Sequence, residues 1–129
     1  MLWDGSSIEL FACSPDRERI GHVFGNIPIG HVFLTPADGQ QPARGYITEG
    51  NDAKAHEDIR VMSQTDADGY TLCALVPLRL LALDPTMRRF LFEAQITTGF
   101  RNDQKQQRAT LFASDAAYQD ASSFALARL

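Results

Sequence analysis

The chain has 129 residues, a net charge of −4, 44% apolar residues and 22% charged ones. That is enough for one domain, residues 1–129, with a single core, and the proportions are those of a globular chain rather than a disordered or collagenous one. The acidic balance argues against a nucleic-acid partner, and the longest apolar stretches, residues 72–78 and 80–83, fall far short of the roughly 20 that a membrane helix needs, so neither partner is expected.

Taken in chain order, the elements are mostly strands. The opening Met1-Leu2-Trp3-Asp4-Gly5 has neither a basic start nor an apolar stretch, so no signal peptide is expected and localisation stays open. Residues 8–13 and 31–34 are short apolar runs, and Gly-His-Val-Phe occurs at both 21–24 and 30–33, an echo that a hairpin or chance explains. Gly, Pro and Asp cluster at 28–30, 36–39, 50–52 and 84–85 and mark turns. Residues 52–58 suit a helical turn, and 59–64 a strand. Asp66-Ala67-Asp68-Gly69 precedes the nearly continuous apolar run 70–76, which reads as a central strand ended by Pro77. One helical turn is expected over 78–83. Phe90, Phe92, Ala94 and Ile96 alternate with Leu91, Glu93, Gln95 and Thr97, the pattern of a half-buried strand. Residues 109–113 and 124–129 complete the set. Many short strands with frequent turns and little helix predict an all-β, antiparallel β-sandwich of the immunoglobulin-like two-sheet kind.

The sequence offers little catalytic chemistry. His22, His31 and His56 lack zinc-site spacing, and Cys13 and Cys73 allow one disulfide without requiring it. No glycine-rich phosphate loop or Gly-x-Ser-x-Gly elbow occurs. Asp66-Ala67-Asp68-Gly69 starts like a calcium loop but lacks the later acidic ligands, so a hairpin turn is the better account. Arg101, Lys105 and Arg108 alternate with amides and read as a solvated loop. Glu9, Glu93 and Asp120 are carboxylates of the type that pairs in glycoside hydrolysis, but nothing in their spacing joins them, so no enzyme, metal or cofactor is expected. Phe11, Phe24, Phe33, Phe90, Phe92, Phe112 and Phe124 fall in apolar runs and read as core. Trp3 and Tyr118 differ, because each stands among polar or small neighbours, where a ring offers an apolar face with a wet edge.

Trp3-x-x-x-x-Ile8-Glu9-Leu10-Phe11 resembles the W-x-x-D-S-V-E-I-F signature of family 9 carbohydrate-binding modules. Gly69-Tyr70-Thr71-Leu72-Cys73-Ala74-Leu75-Val76-Pro77 looks like that family's G-Y-x-x-E-x-x-I-P strand, and Phe92-Glu93-Ala94-Gln95-Ile96-Thr97 like its F-D-V-Q-V-N strand. The finish, from Tyr118-Gln119-Asp120 through Phe124 to Leu129, is similar to its W-R-D-P-S-x-F-G-x-L-x-L ending. The resemblance implies a non-catalytic domain, of a kind shared with DOMON-type sandwiches, that clamps a sugar between two rings. By motif position these are Trp3 and Tyr118, with Glu9 accepting hydroxyl hydrogen bonds and no cofactor. It also implies service in polysaccharide catabolism and an extracellular or periplasmic setting.

The departures thin the polar part of that site. Ser6 stands where the family has aspartate, Cys73 where it has glutamate, Thr97 where it has asparagine, Phe112 and Tyr118 where it has tryptophan, and Ala125 where it has glycine. The family also carries several strands ahead of the Trp3 motif, so the chain reads as N-terminally shortened, with a sheet edge that a homodimer would pair. Two other readings therefore stand beside sugar binding. One is a structural, dimerising sandwich that has lost its ligand. The other is a haem-binding electron-transfer domain, for which Met62, Met87, His22, His31 and His56 supply axial-ligand types.

Overall fold

A computed structural model of the chain describes residues 5–15, 29–49, 52–98, 107–112 and 121–129. Their architecture is all-β, in two sheets. Strands β1 (Ser7–Cys13), β2 (Gly30–Thr35), β3 (Arg44–Glu49), β4 (Asp52–Ala55), β7 (Arg89–Thr98), β8 (Gln107–Thr110) and β9 (Ala125–Arg128) form a large antiparallel sheet. Its order is β4-β3-β2-β1-β7-β8, and β9 pairs with the other end of β7. Strands β5 (Arg60–Thr65) and β6 (Tyr70–Leu75) make a separate two-stranded hairpin. Among the described residues no helix is long and apolar enough to cross a membrane.

β1 organises the large sheet because it is hydrogen-bonded on both sides, to β2 and to β7, along nearly its whole length. Its period-2 alternation sends Ile8, Leu10 and Ala12 to one face and Ser7, Glu9, Phe11 and Cys13 to the other. The first face carries the main core: Ala12, Val32, Leu34, Ile59, Leu81 and Leu83, with Val61, Leu72 and Ala74 packed on from the hairpin. On the opposite face Phe11, Cys13, Leu91 and Phe124 form a second apolar cluster.

The short 3-10 helix Leu78–Leu81 follows Pro77 and ends at Ala82, whose φ of 54° is left-handed. It crosses β2 so closely that a Cβ on Gly30 would fall inside the Leu81 backbone. Only glycine fits that crossing. Gly45 plays the same part in β3, where its missing side chain admits Ile59.

The structure corrects four expectations. Residues 52–55 are strand β4, paired with β3 from Glu49↔Asp52 to Tyr46↔Ala55, not a helical turn. Cross-strand pairing has overridden the helix-favouring Ala and Lys of that stretch. β6 is not central: it pairs with β5 alone among the described strands, and Thr71, Cys73 and Leu75 face outward. β8 begins and ends earlier than residues 109–113, and Phe112 is 54% exposed rather than core. The expected hairpin turn does form at Asp66, whose Oδ1 accepts from the amides of Asp68 (3.0 Å) and Gly69 (2.9 Å).

Candidate functional site

Two polar features stand out from this frame, one buried and one open. The buried one starts from Glu9, in mid-β1 with 5% exposure. A carboxylate so placed must be hydrogen-bonded to be tolerated. The flanking strands supply the donors. His31 Nε2 donates to Oε2 at 2.9 Å, and Gln95 Nε2 donates to Oε1 at 3.0 Å, with Thr97 Oγ1 at 3.5 Å from the same oxygen. The His31 ring is stacked on Phe11, centroids 4.2 Å apart, and tilted against Phe33 at 4.4 Å. Register explains the grouping: Phe11 lies opposite His31, Glu9 opposite both Phe33 and Gln95. Ser7 Oγ, at the end of this row, is buried without a hydrogen-bond partner among the described residues.

Glu93 is also a buried carboxylate, on the same face, and it bonds backbone amides. Oε1 accepts from the amides of Ala94 (2.8 Å) and Leu111 (2.9 Å), and Oε2 from that of Phe112 (2.9 Å). It thereby captures the chain where β8 leaves the sheet, which is why β8 stops at Thr110. Its chemistry is that of a structural anchor.

The open feature is a cleft of about 670 Å³ where the residues leading into β1, the β2–β3 connection and the tip of the hairpin meet. Tyr46 and Tyr70 supply its rings, Asp38 its charge, and Ser6, Gln41 and Thr65 other polar groups. By strand alternation Tyr46 shares a face with Phe33 while Tyr70 lies on the inner face of the hairpin with Leu72, so the two rings reach the cleft from different layers. The loop wall is tied down at both ends. Ala37 N donates to Ser63 Oγ at 2.9 Å, and Asp38 Oδ1 accepts from the amides of Gln40 (2.9 Å) and Gln41 (2.7 Å). The Gln41 amide foremost, then that of Gln40, holds the Asp38 carboxyl below its ordinary range, so it stays anionic. Burial pushes the Tyr70 phenol up, keeping it a neutral donor. Its Oη is buried and has no hydrogen-bond partner among the described residues.

Of the sequence-expected site residues, Trp3 and Tyr118 lie outside the described residues, as does His22. Glu9 is enclosed by His31 and Gln95. Met62 stands 71% exposed on the outer face of the hairpin, Met87 packs on the main core, and His56 Nδ1 accepts from the Asp58 amide in a turn. Cys13 is buried in the large sheet and Cys73 exposed on the hairpin. No group of three His, Cys, Asp or Glu side chains gathers to hold a metal among the described residues. Tyr46, Tyr70, Asp38 and Gln41 were not singled out from sequence. The available signal was a turn (Pro36 to Gly39) between two strands, each carrying or facing a tyrosine. Comparison of the chain with protein-family models, with curated proteins and with solved structures returns no match.

Proposed function

We propose that this chain is a non-catalytic carbohydrate-binding domain whose ligand occupies the cleft beside Tyr46 and Tyr70. The cleft itself supports the reading: it is roomy enough for a small oligosaccharide, and its lining combines two aromatic residues, small apolar residues such as Pro36 and Ala37, hydroxyl and amide side chains and one carboxylate. Rings shed water from the C–H faces of a sugar, and the polar groups fix its orientation. Gly5 and Ser6, in the cleft wall, belong to the Trp3-to-Phe11 motif that carries the family resemblance. On motif position we assign Trp3 and Tyr118 as further stacking rings and Glu9 as a hydrogen-bond acceptor. Affinity in the micromolar to millimolar range, on the order of −4 to −8 kcal/mol, suits an open site of this kind.

Trp3 is the sole tryptophan, so its fluorescence reports on the assignment. Titration with glucose, cellobiose and xylobiose should give a saturable change with at least one of them, abolished in Trp3→Ala by loss of the reporter and, read by calorimetry, by loss of binding. A flat calorimetric response from the folded wild-type chain to all three would contradict the reading.

One observation favours a second reading, a ligand-free domain that dimerises. The hairpin sheet has only two strands among those described, and Met62 and Leu75 stand exposed on its outer face. Sedimentation equilibrium separates the two readings: a tight dimer without sugar binding supports the second, a sugar-binding monomer the first.

A further inference from the structure

We propose that Asp38 makes this cleft select amino sugars, which carry a protonated amine, over neutral and acidic ones, an inference that rests on the carbohydrate reading above. Asp38 is exposed, and among the described residues it is the one charged side chain that lines the cleft. No Lys, Arg or His lines it there. Arg44 lies opposite Thr35 in the register without lining the cleft. Asp66 and Asp68 stand exposed in the turn between the lining residues Thr65 and Tyr70 and carry the same sign of charge as Asp38. A ligand that brings a cation into the cleft therefore meets attraction and no opposing charge in the lining.

The carboxylate is fixed before any ligand arrives. Oδ1 accepts from the amides of Gln40 and Gln41, and the Ala37 amide just before it is tied to Ser63 Oγ, so the loop holds its anion in one place. Oδ2 accepts from no described group and is left for a ligand ammonium. The same backbone amides keep the carboxyl ionised at a pH where a sugar amine is protonated. Tyr46 and Tyr70 line the same cleft, and an aromatic ring attracts a cation where it gives an anion nothing. A neutral sugar offers Asp38 only hydroxyls, and a uronic acid brings a charge of its own sign. Because Asp38 is exposed, the preference is moderate and weakens with salt.

The test compares sugars of one shape and different charge by calorimetry at a pH of about 5.5, where amines are protonated and carboxyls ionised. The β-1,4-linked disaccharide of glucosamine, the diamino counterpart of cellobiose, should bind the wild-type chain roughly three- to tenfold more tightly than cellobiose at low salt. Its N-acetylated form, which has lost the charge, should show no such advantage. High salt should shrink the advantage. Asp38→Asn keeps a side-chain oxygen for the Gln40 and Gln41 amides and deletes the charge, so the diamine and cellobiose should bind it about equally. Equal affinities in the wild-type chain, an advantage shared by the N-acetylated form, or one undiminished by salt or by Asp38→Asn each overturns the inference and leaves the carbohydrate reading in place. No binding of any of these sugars by the folded wild-type chain overturns both.

Discussion

His31 donates to Glu9 at 2.9 Å while its ring lies on Phe11, so one side chain closes both the polar row and the aromatic row on this face of the sheet. The two residues are 22 positions apart in sequence and belong to adjacent antiparallel strands. Such a pair is costly to break from one side, because the partner left behind stays buried and unsatisfied.

Glu9→Ala strands the His31 and Gln95 donors together, and the expected loss of stability is about 2–4 kcal/mol. Glu9→Gln keeps the shape and an acceptor, and the loss should be smaller. Urea denaturation measures both; equal midpoints for wild type and Glu9→Ala would show that the buried row contributes nothing.

Gly30 leaves no room for a side chain beneath Leu81. Gly30→Ala must push the 3-10 helix off β2, and about 2–4 kcal/mol of destabilisation is expected, or failure to fold. Gly39, with φ of 85° and open space around it, provides the contrast. Alanine there strains only the backbone, about 1–2 kcal/mol. Thermal midpoints in the reverse order would contradict the packing described for the crossing.

Glu93 holds three backbone amides. In Glu93→Ala the β7–β8 junction should loosen, with a cost of about 2–4 kcal/mol and faster amide exchange at Leu111 and Phe112 than at Ala109. Unchanged exchange at those two amides would show that the carboxylate does not pin the chain.

Stability should depend on pH at both extremes. Asp84, bonded to the Thr86 hydroxyl and amide, and Asp38 have carboxyls held below their ordinary 3.8. Their contribution is therefore complete above about pH 4 and is lost as pH falls through the lowered values. Tyr70 works in the other direction: burial raises its phenol above the ordinary 10.0 by disfavouring the phenolate, so the fold loses stability as pH rises from about 10 through the raised value. Spectrophotometric titration should show a late tyrosine phase that Tyr70→Phe removes. Asp84→Asn should flatten the acid limb.

Strand alternation was legible wherever it was continuous, and β1, β2, β5, β6 and β7 lie close to where the sequence puts them. β3, paired with β2 and β4, and β4, paired among the described strands with β3 alone, are not legible in the sequence, which reads residues 52–58 as a helical turn. At the sheet margin Asp52, Lys54 and Ala55 carry no apolar signal, and their strand character comes from register with Tyr46 to Glu49. The end of β8 could not be read either, since it is set by a carboxylate 18 residues earlier at Glu93. The same holds for the sites. Glu9 could be picked out as a carboxylate in an apolar strand, but its bonding to His31 and Gln95 depends on three-strand register. Tyr70 looked like one residue of an apolar run. Its distinction, a buried unpartnered hydroxyl at a cleft, arises only when the hairpin tip meets the β2–β3 connection.

The most direct test of the central claim is to map cellobiose onto the folded, isotope-labelled chain by amide chemical shifts. The account predicts concentration-dependent, saturable shifts concentrated at Gly5, Ser6, Asp38, Gly39, Gln41 and Tyr70, with the outer hairpin residues Met62 and Cys73 unmoved. Shifts absent throughout, or centred on the outer face of the hairpin, would contradict it.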